Sequence, residues 1–269
     1  MITSLVRKLR RRPPRTFEYV PEGWQRARSD PKVKGWNVKS VFTAQLARWE
    51  KLRESIRAPH PWGVADNARV HSPHDVMHHN QAATFAYVLL CAAHRQRRVS
   101  LLDWGGGLGE FCLLAREILP PDVELDYHTK EVPAQLEIAR RTVPEATLYD
   151  DDEQFAGRRF DLVLASGALQ YVEDWRGVLA RLAAATGRLL FITRLPVVLA
   201  GPSFVMLQRS YAYGYDTEYL SWCLRRDEFL TAAHLCGLSL VREFAVGETF
   251  DIKGAPAPYH GRGYLFRPE

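Results

Sequence analysis

The run Asp103-Trp104-Gly105-Gly106-Gly107-Leu108-Gly109 sets one carboxylate beside four glycines, a combination suited to holding a small ligand. Val99 to Asp103 reads as a buried strand, and Glu110-Phe111-Cys112-Leu113-Leu114 as the start of a helix. A strand, glycine turn and helix bring bare backbone and a helix N-terminus to the carboxyl end of a sheet, where open α/β folds bind ligands. The spacing narrows the ligand. A dinucleotide fingerprint counted from Gly105 and Gly107 requires a third glycine at position 110, where Glu110 would repel a pyrophosphate. The Gly-Lys-Ser/Thr of a phosphate-binding P-loop is missing as well.

Counted from Asp103, the loop is acid-x-Gly-x-Gly-x-Gly, and this resembles motif I of class I S-adenosylmethionine-dependent methyltransferases. The resemblance implies that the backbone of Gly105, Gly107 and Gly109, with Gly106 in the same turn, passes beside the methionine part of S-adenosylmethionine. Asp103 then positions the loop and accepts from the ammonium group. The resemblance runs through residues 99–193. Glu131, 22 residues beyond Gly109, stands where the family places an acid gripping both ribose hydroxyls, and Val132 would pack on adenine. Asp126 is the competing acid, but its mid-strand place between Leu125 and Tyr127 reads as surface-facing. One acid of Asp150, Asp151 and Asp152, with Asp151 favoured over its neighbours, matches the carboxylate that accepts from the adenine amino group; a charged loop capping a helix near Glu153 is the alternative. Ser166, after the fourth strand, faces the cofactor mouth, and Arg194 to Pro196 would open the acceptor side.

The acceptor is narrowed by what this resemblance lacks. Ala165-Ser166-Gly167 replaces the Asp/Asn-Pro-Pro-Tyr/Phe element of base-amino methyltransferases and the magnesium-holding acid of catechol enzymes. A small molecule, sugar or lipid-linked glycan remains, with transfer to oxygen expected. Lys130-Glu131-Val132-Pro133 and Gly201-Pro202-Ser203-Phe204 add a loose resemblance to bacterial methyltransferases associated with surface-polysaccharide genes, which points to a glycan. A hydroxyl acceptor also needs a base. The candidates are His78, His79 and Tyr213, followed by His128, Tyr211 and Asp216, and none is singled out. His71, His74, Asp75, His78 and His79 form an incomplete metal-ligand set, and no metal is expected.

The elements that must position these residues are legible as alternation. Short apolar runs at 99–103, 123–129, 146–149, 160–165 and 187–193 alternate with helical patterns at 109–118, 133–142 and 175–185, the mark of a parallel sheet covered on both faces. A helix at 226–236 and strands near 238–246 and 262–267 close it. The expected fold is α/β, a doubly wound Rossmann-like seven-stranded sheet of methyltransferase type. Residues 99–269 form this domain, with an acceptor-side insertion at 194–225 whose tyrosines Tyr211, Tyr213, Tyr215 and Tyr219 could stack on a ring. Residues 16–98 read as an N-terminal helical cap, with helices over Val41–Ile56 and from about His74 to His94.

Residues 1–15 form a basic tail with six basic groups and no acid, so a net charge of +5 leaves the remainder at −1. The high isoelectric point therefore belongs to the tail. A nucleic-acid methyltransferase recruited by that tail is one alternative function, and a non-catalytic S-adenosylmethionine-binding scaffold is another. Ile2, Leu5, Val6 and Leu9 give the tail an apolar stripe that could rest on anionic lipid; a solvated tail is the plainer reading. Four scattered cysteines and no secretory segment or bilayer-length apolar run suggest a cytoplasmic protein, peripheral to a membrane at most.

Overall fold

The computed structural model describes residues 16–62, 73–248 and 251–269. In chain order the elements are β1 (Phe17–Tyr19), α1 (Gln25–Ser29), α2 (Lys39–Arg57), α3 (Pro73–Ala93), β2 (Arg98–Trp104), α4 (Glu110–Ile118) and β3 (Glu124–Lys130). They continue with α5 (Pro133–Thr142), β4 (Thr147–Tyr149), β5 (Phe160–Ser166), α6 (Trp175–Ala185), β6 (Thr186–Val198), β7 (Phe204–Arg209) and β8 (Glu218–Arg225). The last are α7 (Arg226–Leu235), β9 (Leu238–Ala245), β10 (Ile252–Lys253) and β11 (His260–Pro268).

Seven strands lie in the order β4-β3-β2-β5-β6-β11-β9, with β11 antiparallel to both its neighbours and the first five parallel. The chain runs outward from β2 through β3 to β4, then returns to place β5 on the other side of β2. That reversal opens a crevice at the carboxyl ends of β2 and β5. Pleating divides the side chains between two cores. Leu102, Val163, Ala165, Leu190 and Ile192 pack toward α6 and α7. Leu101, Leu162, Leu164 and Phe191 pack toward α3 and α4.

The two central strands are also pinned at their lower end. Asp161 accepts from the Ser100 N–H (2.9 Å) and hydroxyl (2.8 Å), and its own N–H donates to the Ser100 oxygen (3.0 Å). Asp161→Ala strands the Ser100 N–H and is expected to cost about 1–2 kcal/mol. A fall in the urea midpoint at constant m would register it; an unchanged midpoint would mean that water replaces the carboxylate freely.

Three features go beyond the alternation legible in the chain. β6 continues past Thr193 through Val198, where it pairs with β8. The 194–225 segment is largely strand, since β7 and β8 pair antiparallel. The 16–98 segment begins with a strand, because β1 pairs with β7 and β10, which extend the same sheet beyond β8. Residues 1–15 lie outside the described residues, and among those described no helix is long and apolar enough to cross a membrane.

Candidate functional site

The glycine loop is folded by close approaches that exclude side chains. Gly105 has φ +76°, and a Cβ there would lie 2.5 Å from the Ala168 Cβ, so the loop rests directly on the turn after β5. At Gly106 a Cβ would come within 2.7 Å of the Asp103 carboxyl. Gly109 has φ +91° and abuts Val143, at 2.6 Å from the same hypothetical atom. At Gly107, φ +59°, a Cβ would meet Gln135 Oε1 at an ordinary contact distance of 3.9 Å, so backbone conformation rather than crowding favours glycine there. Only glycine combines this backbone with these contacts.

Asp103 and Glu131 flank the loop from below and beside. Asp103 is fully buried; its Oδ2 accepts from the Tyr127 hydroxyl at 2.6 Å, while Oδ1 has no hydrogen-bond partner. Burial raises its pKa to about 7 against the Tyr127 hydrogen bond, with Glu131 and Glu110 adding like charge. Glu131 follows β3. Its Oε1 accepts from Gly107 N–H at 2.8 Å and its Oε2 from Val132 N–H at 2.9 Å, which oppose the upward push of desolvation on its pKa. Gly105 N–H donates to the Lys130 carbonyl at 2.8 Å. Loop and acid are thus in direct contact, with Val132 half-buried at the head of α5. Asp126 faces away from this arrangement, paired with Arg98 (3.0 Å) and His128 (3.0 Å).

The aspartates after β4 divide their roles. Asp151 caps a short 3-10 turn by accepting from Glu153 N–H at 2.9 Å, and Asp150 is bonded to Gln154 at 2.7 Å. Both are exposed. Asp152 is tied inward to the Trp104 indole (2.8 Å) and Arg181 (2.9 Å). Lys130, Arg181 and residues 150–153 line a pocket of about 250 Å³.

Ser166 ends β5, and its hydroxyl accepts from Gln81 of α3 at 2.8 Å, which brings α3 onto the carboxyl edge of the sheet. His78 and His79 lie one turn earlier on α3, both partly buried, and the His79 Nδ1 has no partner. His71 lies outside the described residues, as do the side chains of His74 and Asp75; among the described residues no cluster of metal-ligating groups is present.

Other base candidates are already engaged. His128 is buried within β3, between Asp126 and the Tyr149 hydroxyl (3.0 Å). Tyr211 donates to Glu218 at 2.9 Å and Asp216 pairs with Lys34 at 3.0 Å, whereas the Tyr213 side chain is exposed. Tyr219 is no open platform: it is buried, with its ring stacked on Trp36 at 4.3 Å.

Sequence reasoning named Glu110 and Arg194 but did not link them to each other or to Glu248. Desolvation by the surrounding protein raises the pKa of Glu110, and the Arg194 charge pulls it back. Arg194 pairs with the buried Glu248 at 2.9 Å. No local pattern links two residues 54 positions apart, although Arg194 is the first charge after an apolar strand.

A family model described as a methyltransferase domain matches residues 76–241. No curated protein matches the chain. Among solved structures, magnesium protoporphyrin IX methyltransferase from Synechocystis, with bound S-adenosylhomocysteine, is 14% identical, covering 84% of this chain and 95% of its own, at a TM-score of 0.49. The 1,6-didemethyltoxoflavin-N1-methyltransferase of Burkholderia thailandensis is 18% identical over 76% of this chain and 93% of its own, at 0.47. The CcbJ methyltransferase of Streptomyces caelestis is 14% identical over 74% and 93%, at 0.48.

Proposed function

This chain belongs to the methyltransferase-domain family, and from that premise we propose that it transfers the methyl group of S-adenosylmethionine to a hydroxyl oxygen of a small-molecule, sugar or glycan acceptor. The observation that carries the cofactor reading is the 2.8 Å hydrogen bond from Gly107 N–H to the Glu131 carboxylate. It joins the loop suited to an amino acid moiety to the acid suited to a ribose. The residues fit such a ligand: an unpartnered, buried Asp103 oxygen favours a cation nearby, and Gly105, Gly107 and Gly109 present bare backbone at positive φ.

When bound, the cofactor supplies a methyl group on a sulfonium centre that leaves as a neutral thioether. The chain's own part is alignment and exclusion of water. Glu131 accepts from the ribose hydroxyls with the lone pairs left after its two backbone bonds. Val132 packs on adenine, and Asp150 or Asp151 accepts from the adenine amino group. Asp103, sealed beneath Gly106, acts through the loop and through its charge. Ser166, Gln81 and the small residues after β5 leave room for the methyl group, and His78, His79 and Tyr213 are the candidates for proton removal.

Titration calorimetry with S-adenosylhomocysteine is the direct test, and absence of binding would sink the proposal. Its pH dependence is a sharper one. Asp103 titrates near pH 7 without ligand, and a bound cation favours its ionised form. Affinity is therefore expected to rise as pH goes from 6 to 8, with a proton released on binding, and to weaken as pH falls below 7. Buffers of different ionisation enthalpy would count the proton. Asp103→Asn should flatten the dependence; an equally steep profile in that variant would assign it elsewhere.

A further inference from the structure

β6 carries an irregularity where it leaves β5. Leu195 pairs with Arg262 and Ile192 with Tyr264, so Thr193 and Arg194 together oppose the single residue Gly263. This is a β-bulge, a device that re-aims a side chain, and Arg194 sits in it at φ +54°, a conformation uncommon outside glycine. The bulge brings the guanidinium over the turn after β5: a Cβ at Gly167 would be 3.4 Å from the Arg194 Nη1. Glu248 holds the other end at 2.9 Å and is itself fixed to β11 by the Gly261 N–H to Glu248 carbonyl bond of 3.2 Å. Gln170, buried, donates to the Arg194 carbonyl at 3.3 Å.

Two hydrogen-bonding groups in this assembly are unspent. The Arg194 Nε–H and the Gln170 Oε1 are buried without partners. One donates and the other accepts, the two roles that a hydroxyl combines. The charge balance is also specific. Two carboxylates, Glu248 and Glu110, act on the one guanidinium, and Tyr171 beside it is held in its neutral form by burial. An anionic acceptor would meet that carboxylate excess, whereas an uncharged one would not.

We propose that Arg194 and Gln170, braced by Glu248, form the acceptor-recognition clamp of the site and select an uncharged acceptor that presents a hydroxyl. This rests on the methyl-transfer reading above. Arg194 Nε–H donates to the acceptor and Gln170 Oε1 receives a hydrogen bond from it, while Glu248 repels carboxylate and phosphate competitors.

The test uses the full chain with radiolabelled S-adenosylmethionine and two acceptor pools. One holds sugars, phenols and aliphatic alcohols; the other holds matching carboxylates and phosphate monoesters. Label is expected in the first pool at least tenfold over the second. Arg194→Asn, whose side chain tolerates the left-handed backbone, is expected to lose tenfold or more of that incorporation while binding S-adenosylhomocysteine within twofold of the parent. Glu248→Gln, which releases Arg194 from its pair, is expected to raise incorporation into the anionic pool. Preference for the anionic pool, label in neither pool, or unchanged transfer by a folded Arg194→Asn protein would each overturn the clamp. If the parent protein fails to bind S-adenosylhomocysteine, the methyl-transfer reading falls and takes this one with it; binding without the predicted preference removes the clamp alone.

Discussion

Replacing Gly105 by alanine is expected to weaken S-adenosylhomocysteine binding by 100-fold or more, about 2.7 kcal/mol or above. Two costs combine at this position. Alanine resists φ +76°, and its Cβ would sit 2.5 Å from that of Ala168, far inside contact distance. Ala168 follows the strand that ends at Ser166, so the loop can yield only by lifting off the carboxyl edge, away from the ligand. The two costs separate experimentally. With Ala168 reduced to glycine, the next atom is the Ala168 Cα at 3.9 Å, so Gly105→Ala/Ala168→Gly should regain about half of the lost binding free energy, the remainder being backbone strain. Calorimetry on the four proteins of this cycle checks it. Full affinity in the single variant would mean that the loop does not carry the ligand.

Glu131→Ala is expected to lower the same affinity by 100-fold or more, while Glu131→Gln costs about tenfold. Hydrogen bonds to a charged group contribute about 1.5–3 kcal/mol each. Alanine removes both of those proposed to the ribose and also frees Gly107 N–H and Val132 N–H, now held at 2.8 and 2.9 Å. Glutamine preserves the shape and one acceptor oxygen, so loop geometry largely survives. A purely structural Glu131 would lower the melting temperature in both variants and leave the affinity per folded molecule within twofold. That result would withdraw the ribose assignment.

Placing these residues required little beyond the chain's own pattern. The alternation of apolar strands and amphipathic helices from residue 99 to the C-terminus predicts the seven strands and their crossover helices, because each strand buried on both faces must be apolar and each helix needs one apolar face. The glycine spacing likewise places the loop after β2, since its backbone angles and contacts are local demands. Glu131 and Ser166 follow because strand ends converge at one edge of a parallel sheet.

What the linear pattern could not supply lies in long-range pairings. β1 is three residues long and exists because it meets β7 and β10, some 190 and 235 positions away. Pro196 reads as a break, yet β6 passes through it. Arg194 and Glu248 meet only because β11 inserts beside β6 and a bulge turns the guanidinium over the turn after β5. Local residue types determined the sheet and the glycine loop at its edge, since propensity, periodicity and backbone freedom act over a few residues. The cluster around Arg194 was decided by tertiary structure, because its groups come from segments whose contact depends on register and strand order across the whole domain.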